Sequence, residues 1–343
     1  MADVTRRDFL AGLAGLGLFR GLSSAQQRLD LATIRTRRDF SHARQQILAG
    51  MQLVMGAIPQ RKRLPLAITN LAVEATPAFT RTKIQYLAEP GDFVDAWLLL
   101  PTNLKRKAPA MLCLHQTIKI GKDEPAGLGG NPNLHYAQEL AERGYVCIVP
   151  EYPYLGENTF DPYRHGYVSC TMKGIVNHRR AVDVLQSLPQ VDKHRIGSIG
   201  HSLGGHNTLF VAAFDDRIKA MVTSCGFTKA SKYYNGDLKG WAGVRYMPLI
   251  EKNYGNDPAR IPFDFPELLM ALAPRPVFIN APLHDSNFDV SGVRDCVATA
   301  QPIYDRVFKA GDHLVAHYPD VGHEFPEAMR QAAYAFLDRW LRA

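Results

Sequence analysis

From about residue 80 onward the chain alternates short apolar runs with segments of helical period. The runs are TKIQYLA (82–88), DAWLLLP (95–101), AMLCLH (110–115), YVCIVP (145–150), IGSIG (196–200), IKAMVTSC (218–225), PVFINA (276–281) and HLVAHYP (313–319). The first two predict an antiparallel pair. AMLCLH and YVCIVP are unbroken, the pattern of strands covered on both faces. Between the runs lie LHYAQELAERG, with Gly144 placed to end a helix, and MKGIVNHRRAVDVLQSL, with Ile175, Val182 and Leu185 on one face. A third helix starts at Leu203. The last, FPEAMRQAAYAFLDRWLRA, carries a stripe of Met329, Ala333, Phe336, Leu337 and Trp340. Apolar strands alternating with helices predict an α/β fold with a mainly parallel sheet flanked by helices.

Upstream, Phe40, Ile47, Leu48, Met51, Met55 and Ile58 form one helical stripe that Pro59 stops. The expected organisation is a helical extension over 26–79 and an α/β domain over 80–343. One interruption, about 228–266, is rich in Tyr, Trp, Gly and Pro. An insertion of that length in a compact α/β domain reads as a lid or binding loop.

Composition adds three constraints. With 343 residues, 46% of them apolar, the chain can bury a large core. The net charge of +7 is scattered without a run of like charges, which argues against a nucleic-acid footprint. The five cysteines (113, 147, 170, 225 and 296) are odd in number and contain no CxxC. They read as small core residues rather than a disulfide framework. No HExxH or similar ligand spacing is present, and no cofactor is called for.

The first residues read TRRDFLAGLAGLGLF, then SSAQ. Two arginines before a short Ala/Gly/Leu stretch resemble a twin-arginine export signal over residues 1–25, cleaved before Gln26. The apolar run is too short and too glycine-rich for a good membrane span. The alternative is an amphipathic N-terminal helix. Removal of 1–25 takes three arginines and two aspartates, so the mature net charge is +6. The expected location is periplasmic or secreted.

RIGSIGHSLGGHNTLF (195–210) carries the chemistry. An apolar run ends in Gly200, one serine follows, and a helix starts behind it. GHSLG matches G-x-S-x-G at a strand–helix junction, the context of a nucleophile elbow. The turn is so sharp that side chains two positions either side would clash, hence Gly200 and Gly204. Ser202 is lifted above the strand ends, and the Leu203 amide at the helix start is a ready oxyanion donor. The bland alternative is a glycine-rich turn with a solvated serine.

GHSLGGHN, APRPVFINAPLHD and YPDVGHEFP resemble the α/β-hydrolase superfamily, over about residues 80–343. Within it the chain is most similar to the dienelactone hydrolase-like and acetyl xylan esterase-like branch, which adjoins the prolyl oligopeptidase group. Dienelactone hydrolases proper use Cys where this chain has Ser202, which points to an esterase. Glucuronoyl esterases carry an Arg near the nucleophile, where this chain has Leu203 and Gly204. The superfamily order of Ser, acid, His implies His323, in the loop after the last strand, as the base. The acid is expected just past PVFINA, at Asp285 in preference to Asp289. The second oxyanion donor is expected at the Gln116 amide, with Thr117 as runner-up. His115, His201 and His206 are expected to brace loops. Glu151 either supports the site or holds its own loop.

The reaction so implied is cofactor-free acyl transfer, through an acyl-enzyme on Ser202, with a small-molecule or carbohydrate ester as substrate. Aromatic faces with polar tips suit sugar rings. Trp241, Arg245 and Tyr246 in the insertion are therefore expected to bind substrate, Arg245 through a carboxylate or a sugar hydroxyl. The opposing expectation is that these aromatics pack the lid onto the body. Two other functions stand against the esterase: a serine peptidase, for which no propeller-length N-terminal segment is seen, and a non-catalytic binding protein, which would most simply show a broken triad.

Overall fold

The computed structural model describes Leu29, residues 33–60 and residues 64–342. The expected export signal, 1–25, lies outside them. Helix α1 (Arg37–Met55) opens the described fold. Thr36 caps it in a reciprocal box: the Asp39 amide donates to Thr36 Oγ1 at 3.2 Å, and the Thr36 amide donates to Asp39 Oδ2 at 2.9 Å. Phe40, Ile47, Met51 and Met55 of the expected stripe are buried, and α1 ends at Met55 with Gly56 as its cap, three residues before Pro59.

Nine strands form one sheet in the order β1-β2-β3-β5-β4-β6-β7-β8-β9. They are β1 (Thr69–Ala75), β2 (Phe79–Glu89), β3 (Asp92–Pro101), β4 (Ala108–Leu114), β5 (Val146–Pro150), β6 (Val191–His201), β7 (Ile218–Ser224), β8 (Val277–Asn280) and β9 (Leu314–His317). The first three and β5 pair antiparallel, and β4 through β9 run parallel to one another. This is the α/β-hydrolase fold. One boundary differs from the sequence reading: the sheet begins at Thr69, inside the segment expected to be a helical extension. All seven residues of β1 are exposed, so burial left no alternation to read. Backbone pairing to β2 holds the strand.

The remaining helices are α2 (Tyr136–Glu142), α3 (Cys170–Ser187), α4 (Leu203–Phe214), α5 (Lys239–Ala242), α6 (Leu249–Tyr254), α7 (Phe265–Leu272), α8 (Val290–Pro302) and α9 (Glu327–Leu341). One core lies between the sheet and α1, α3, α4, α7 and α8; the other lies beneath α2 and α9. β4 and β5 are buried at every residue, as their unbroken apolar runs require. All five cysteines are buried free thiols. Among the described residues no helix is long and apolar enough to cross a membrane.

Candidate active site

β6 runs into α4 through Ser202, whose backbone sits at φ 53°, ψ −120°. That conformation is costly for a residue with a side chain and is held by its surroundings. The Ser202 amide donates to the Ser224 carbonyl of β7 at 2.8 Å, and the Ser202 carbonyl accepts from the His206 amide at 3.0 Å. The flanking glycines have no alternative. A Cβ on Gly200 would lie 2.2 Å from the Gly204 carbonyl carbon, and one on Gly204 would lie 1.8 Å from the Leu114 carbonyl oxygen at the end of β4. The close approach of α4 to β4 makes the elbow.

His323 stands in the loop between β9 and α9. Its Nδ1 lies 2.9 and 3.0 Å from the two carboxylate oxygens of Asp285. Asp285 Oδ1 also accepts from the amides of Asn287 (2.8 Å) and Phe288 (3.0 Å). Burial pushes the Asp285 carboxyl up, but His323 and the two amides outweigh this and hold it below the usual range. Asp289 is occupied elsewhere: it caps α8, accepting from the Ser291 amide at 2.7 Å. Of the two aspartates expected as candidates, Asp285 therefore meets the imidazole.

Ser202 and His323 open onto one cavity of about 300 Å³, which Leu203, Gln116 and Thr117 also line. The Gln116 side chain is tied to Glu124 Oε2 at 2.8 Å, leaving its backbone as the part that can act on a substrate. The opposite wall belongs to the insertion. Trp241 stacks on Tyr233 with ring centres 4.1 Å apart and 13° between planes, and Tyr246 closes one side through a 2.9 Å hydrogen bond between its hydroxyl and Thr117 Oγ1. A Cβ on Gly240 would lie 2.2 Å from the Tyr233 hydroxyl, so this glycine lets the ring sit in the wall.

Arg245 departs from expectation. It is exposed and stands outside the residues that line the cavity. What it turns inward is its carbonyl, which accepts from the Tyr152 hydroxyl at 2.9 Å. Closeness to Trp241 in sequence did not reveal which way the turn at 243–246 would face. Sequence reasoning also missed Asn287 and Phe288, which the tight turn around Asp285 brings to the cavity. His206 lines the floor, packed among Phe210, Trp241 and Phe265.

His201 lies beside the base, ring centres 4.8 Å apart, with its Nδ1 2.9 Å from Ser224 Oγ. Burial pushes it down to about 3, so it meets His323 as a neutral ring. His201, Cys225 and His323 bring potential metal-ligating atoms within 4.8 Å of one another. His323 Nδ1 and His201 Nδ1 are already engaged by Asp285 and Ser224, and burial, then the Asp285 charge, raises the Cys225 thiol.

Residues 133–343 match the model of the prolyl oligopeptidase family, and this span contains Ser202, Asp285 and His323. The chain belongs to the prolyl oligopeptidase family. An Abhydrolase family model matches residues 18–162. Among relatives of this family member, YtaP of Bacillus subtilis (strain 168) is 24% identical over 302 residues, 84% of this chain and 96% of its own. The 4-O-methyl-glucuronoyl methylesterase 1 of Wolfiporia cocos is 26% identical over 179 residues, 47% of this chain and 44% of its own. Two solved structures share the fold. A glucuronoyl esterase from Solibacter usitatus aligns over 93% of this chain and 98% of its own at 17% identity and a TM-score of 0.69. An acetyl xylan esterase from Paenibacillus sp. R4 aligns over 94% and 100% at 18% identity and 0.61.

Proposed function

We propose that this chain is a serine carboxylic ester hydrolase that removes a small acyl group from a carbohydrate or similar polar alcohol. The observation that carries the reading is the Asp285–His323 pair opening onto the same cavity as the strained Ser202. His323, oriented through Nδ1 by Asp285, takes the Ser202 proton at its other nitrogen. The serine oxygen attacks the ester carbonyl, and the Leu203 and Gln116 amides receive the oxyanion. The tetrahedral species collapses, breaking the C–O bond as His323 gives its proton to the departing alcohol. Water, activated by the same imidazole, then cleaves the acyl-enzyme and frees Ser202.

The walls favour a neutral polar substrate. No Asp, Glu, Lys or Arg lines the cavity among the described residues. Stacked Trp241 and Tyr233, with Tyr246 and Asn287, offer ring faces and hydrogen-bonding tips. Sugar-ester-cleaving proteins are among the structures that share the fold, which supports the same direction. Membership of the prolyl oligopeptidase family favours a second reading, a serine peptidase. A panel of acetyl esters, longer acyl esters, acylated sugars and short peptides separates the two. The expected result is turnover of acetyl and acylated-sugar esters with none of peptides, lost about 10⁴-fold or more in Ser202→Ala with an unchanged melting temperature. Peptide cleavage exceeding ester cleavage would overturn the assignment.

The protein is further proposed to leave the cytoplasm by the twin-arginine route and to act in the periplasm or outside the cell. Intact-mass measurement of exported protein should show a chain starting near Gln26. A mature chain starting at residue 1 or 2 would refute it.

A further inference from the structure

Behind the cavity wall that carries Gln116 and Thr117 lies a second buried polar group, built around Glu151. This side chain follows β5 and is fully buried. Its Oε1 accepts from the Lys122 amide at 3.2 Å and lies 3.1 Å from His115 Nε2. Its Oε2 accepts from the Lys122 ammonium at 3.0 Å and from the Glu157 amide at 3.4 Å. Lys122 is itself 1% exposed, and its ammonium also reaches Glu157 at 2.9 Å. Two glycines at positive φ make the space. A Cβ on Gly121 would stand 1.9 Å from Oε1, and one on Gly156 would stand 2.1 Å from Oε2. The loops after β4 and β5 are thus both wrapped onto one carboxylate.

His115 carries the connection to the cavity. Its Nδ1 donates to the Gln116 carbonyl at 2.7 Å, and its Nε2 is 3.1 Å from the Tyr152 amide, which donates to it. In a trans peptide the N–H and C=O point opposite ways. Tethering the Gln116 carbonyl to a buried ring therefore fixes the peptide plane between Gln116 and Thr117, and with it leaves the Gln116 N–H little freedom to turn about the shared Cα. The two charges also hold each other. Burial pushes the Glu151 carboxyl up, and its hydrogen-bonded and charged neighbours, Lys122 among them, outweigh it, keeping the group below its ordinary range. Burial pushes the Lys122 ammonium down, and Glu151 and Glu157 outweigh that.

We propose that Glu151 is a positioning residue: its carboxylate ties the loops after β4 and β5 together through Lys122 and the Glu157 amide, which keeps the Tyr152 amide on His115 and, through that ring, fixes the 115–117 backbone that supplies the second oxyanion donor. The proposal rests on the esterase reading of Ser202, which Ser202→Ala tests independently. In an enzyme whose Ser202→Ala variant is inactive, Glu151→Gln should lower kcat on an acetyl ester by roughly tenfold to a hundredfold, the scale of a displaced oxyanion donor. KM should stay within about twofold, because ground-state binding is left intact. Glu151→Gln also strands the Lys122 charge and lowers the melting temperature. The double variant Glu151→Gln/Lys122→Met removes both charges and should recover the melting temperature while kcat stays low. Recovery of kcat together with stability would overturn the proposal. His115→Gln gives a second route: it removes the ring that joins the Tyr152 amide to the Gln116 carbonyl and leaves the Glu151–Lys122 pair in place. It should lose kcat to a similar degree at a melting temperature near wild type. Wild-type kcat in that variant would overturn the proposal, and it alone decides the matter if Glu151→Gln does not fold.

Discussion

The hydroxyl of Tyr246 lies 2.9 Å from Thr117 Oγ1, joining the insertion to the loop after β4 across one side of the cavity. A hydrogen bond of this kind contributes about 1 kcal/mol net. Tyr246→Phe should therefore raise KM for an acylated sugar roughly two- to tenfold, with a smaller rise for a small activated acetate. Equal changes on both substrates would show that the link shapes the whole site rather than the outer subsite.

Trp241 and Arg245 should separate. Trp241 lines the cavity and stacks on Tyr233, whereas Arg245 faces solvent. Trp241→Ala should depress kcat/KM on the extended ester more than on the acetate, since binding energy remote from the reacting carbonyl is what it removes. Arg245→Ala should stay within about twofold on both, in line with an exposed substitution. A large loss in Arg245→Ala, measured by steady-state kinetics, would mean that its side chain does reach the substrate.

Asp285→Asn should cost far more than Asp289→Asn. The first leaves His323 in the wrong tautomer, a loss on the order of 10⁴ in kcat. The second replaces one good helix cap with another, so α8 and the activity should both be nearly unchanged. Mild and equal effects would place the acid elsewhere.

Stability should fall as the solution is acidified below neutral. His178, His201 and His206 are each buried, and burial pushes each down to about 3. An unfolded histidine titrates near 6.5, so between about 6.5 and 3 the unfolded chain binds protons that the folded chain refuses. The stabilisation is whole above the unfolded value and is lost as pH drops through this window. The slope is at most about 1.4 kcal/mol per pH unit for each ring. Urea unfolding at pH 7 and pH 5 checks it, and equal midpoints would show that the three rings are not kept neutral by the fold.

What could be read from the chain alone followed from burial. AMLCLH and YVCIVP announced themselves because both faces of β4 and β5 are covered. The elbow was readable because two glycines are forced by contacts at 2.2 and 1.8 Å. β1 was unreadable for the opposite reason: water meets both its faces, and backbone bonds, which leave no trace in side-chain pattern, hold it. Helix α7 was missed because all eight residues are buried and it is short, so no polar face marks a period. The wall residues Asn287 and Phe288 depend on how the chain curls around the Asp285 carboxylate, a detail that no periodicity encodes.

Because the cavity walls carry no Asp, Glu, Lys or Arg among the described residues, the net positive charge of the chain would act on the proposed neutral ester only from a distance. At physiological ionic strength such distant charges are damped within about 8 Å. Capture of a neutral substrate then depends on shape and hydrogen bonding, neither of which added salt screens. An active site built this way keeps its selectivity from dilute to saline surroundings, which would suit the location outside the cytoplasm proposed above.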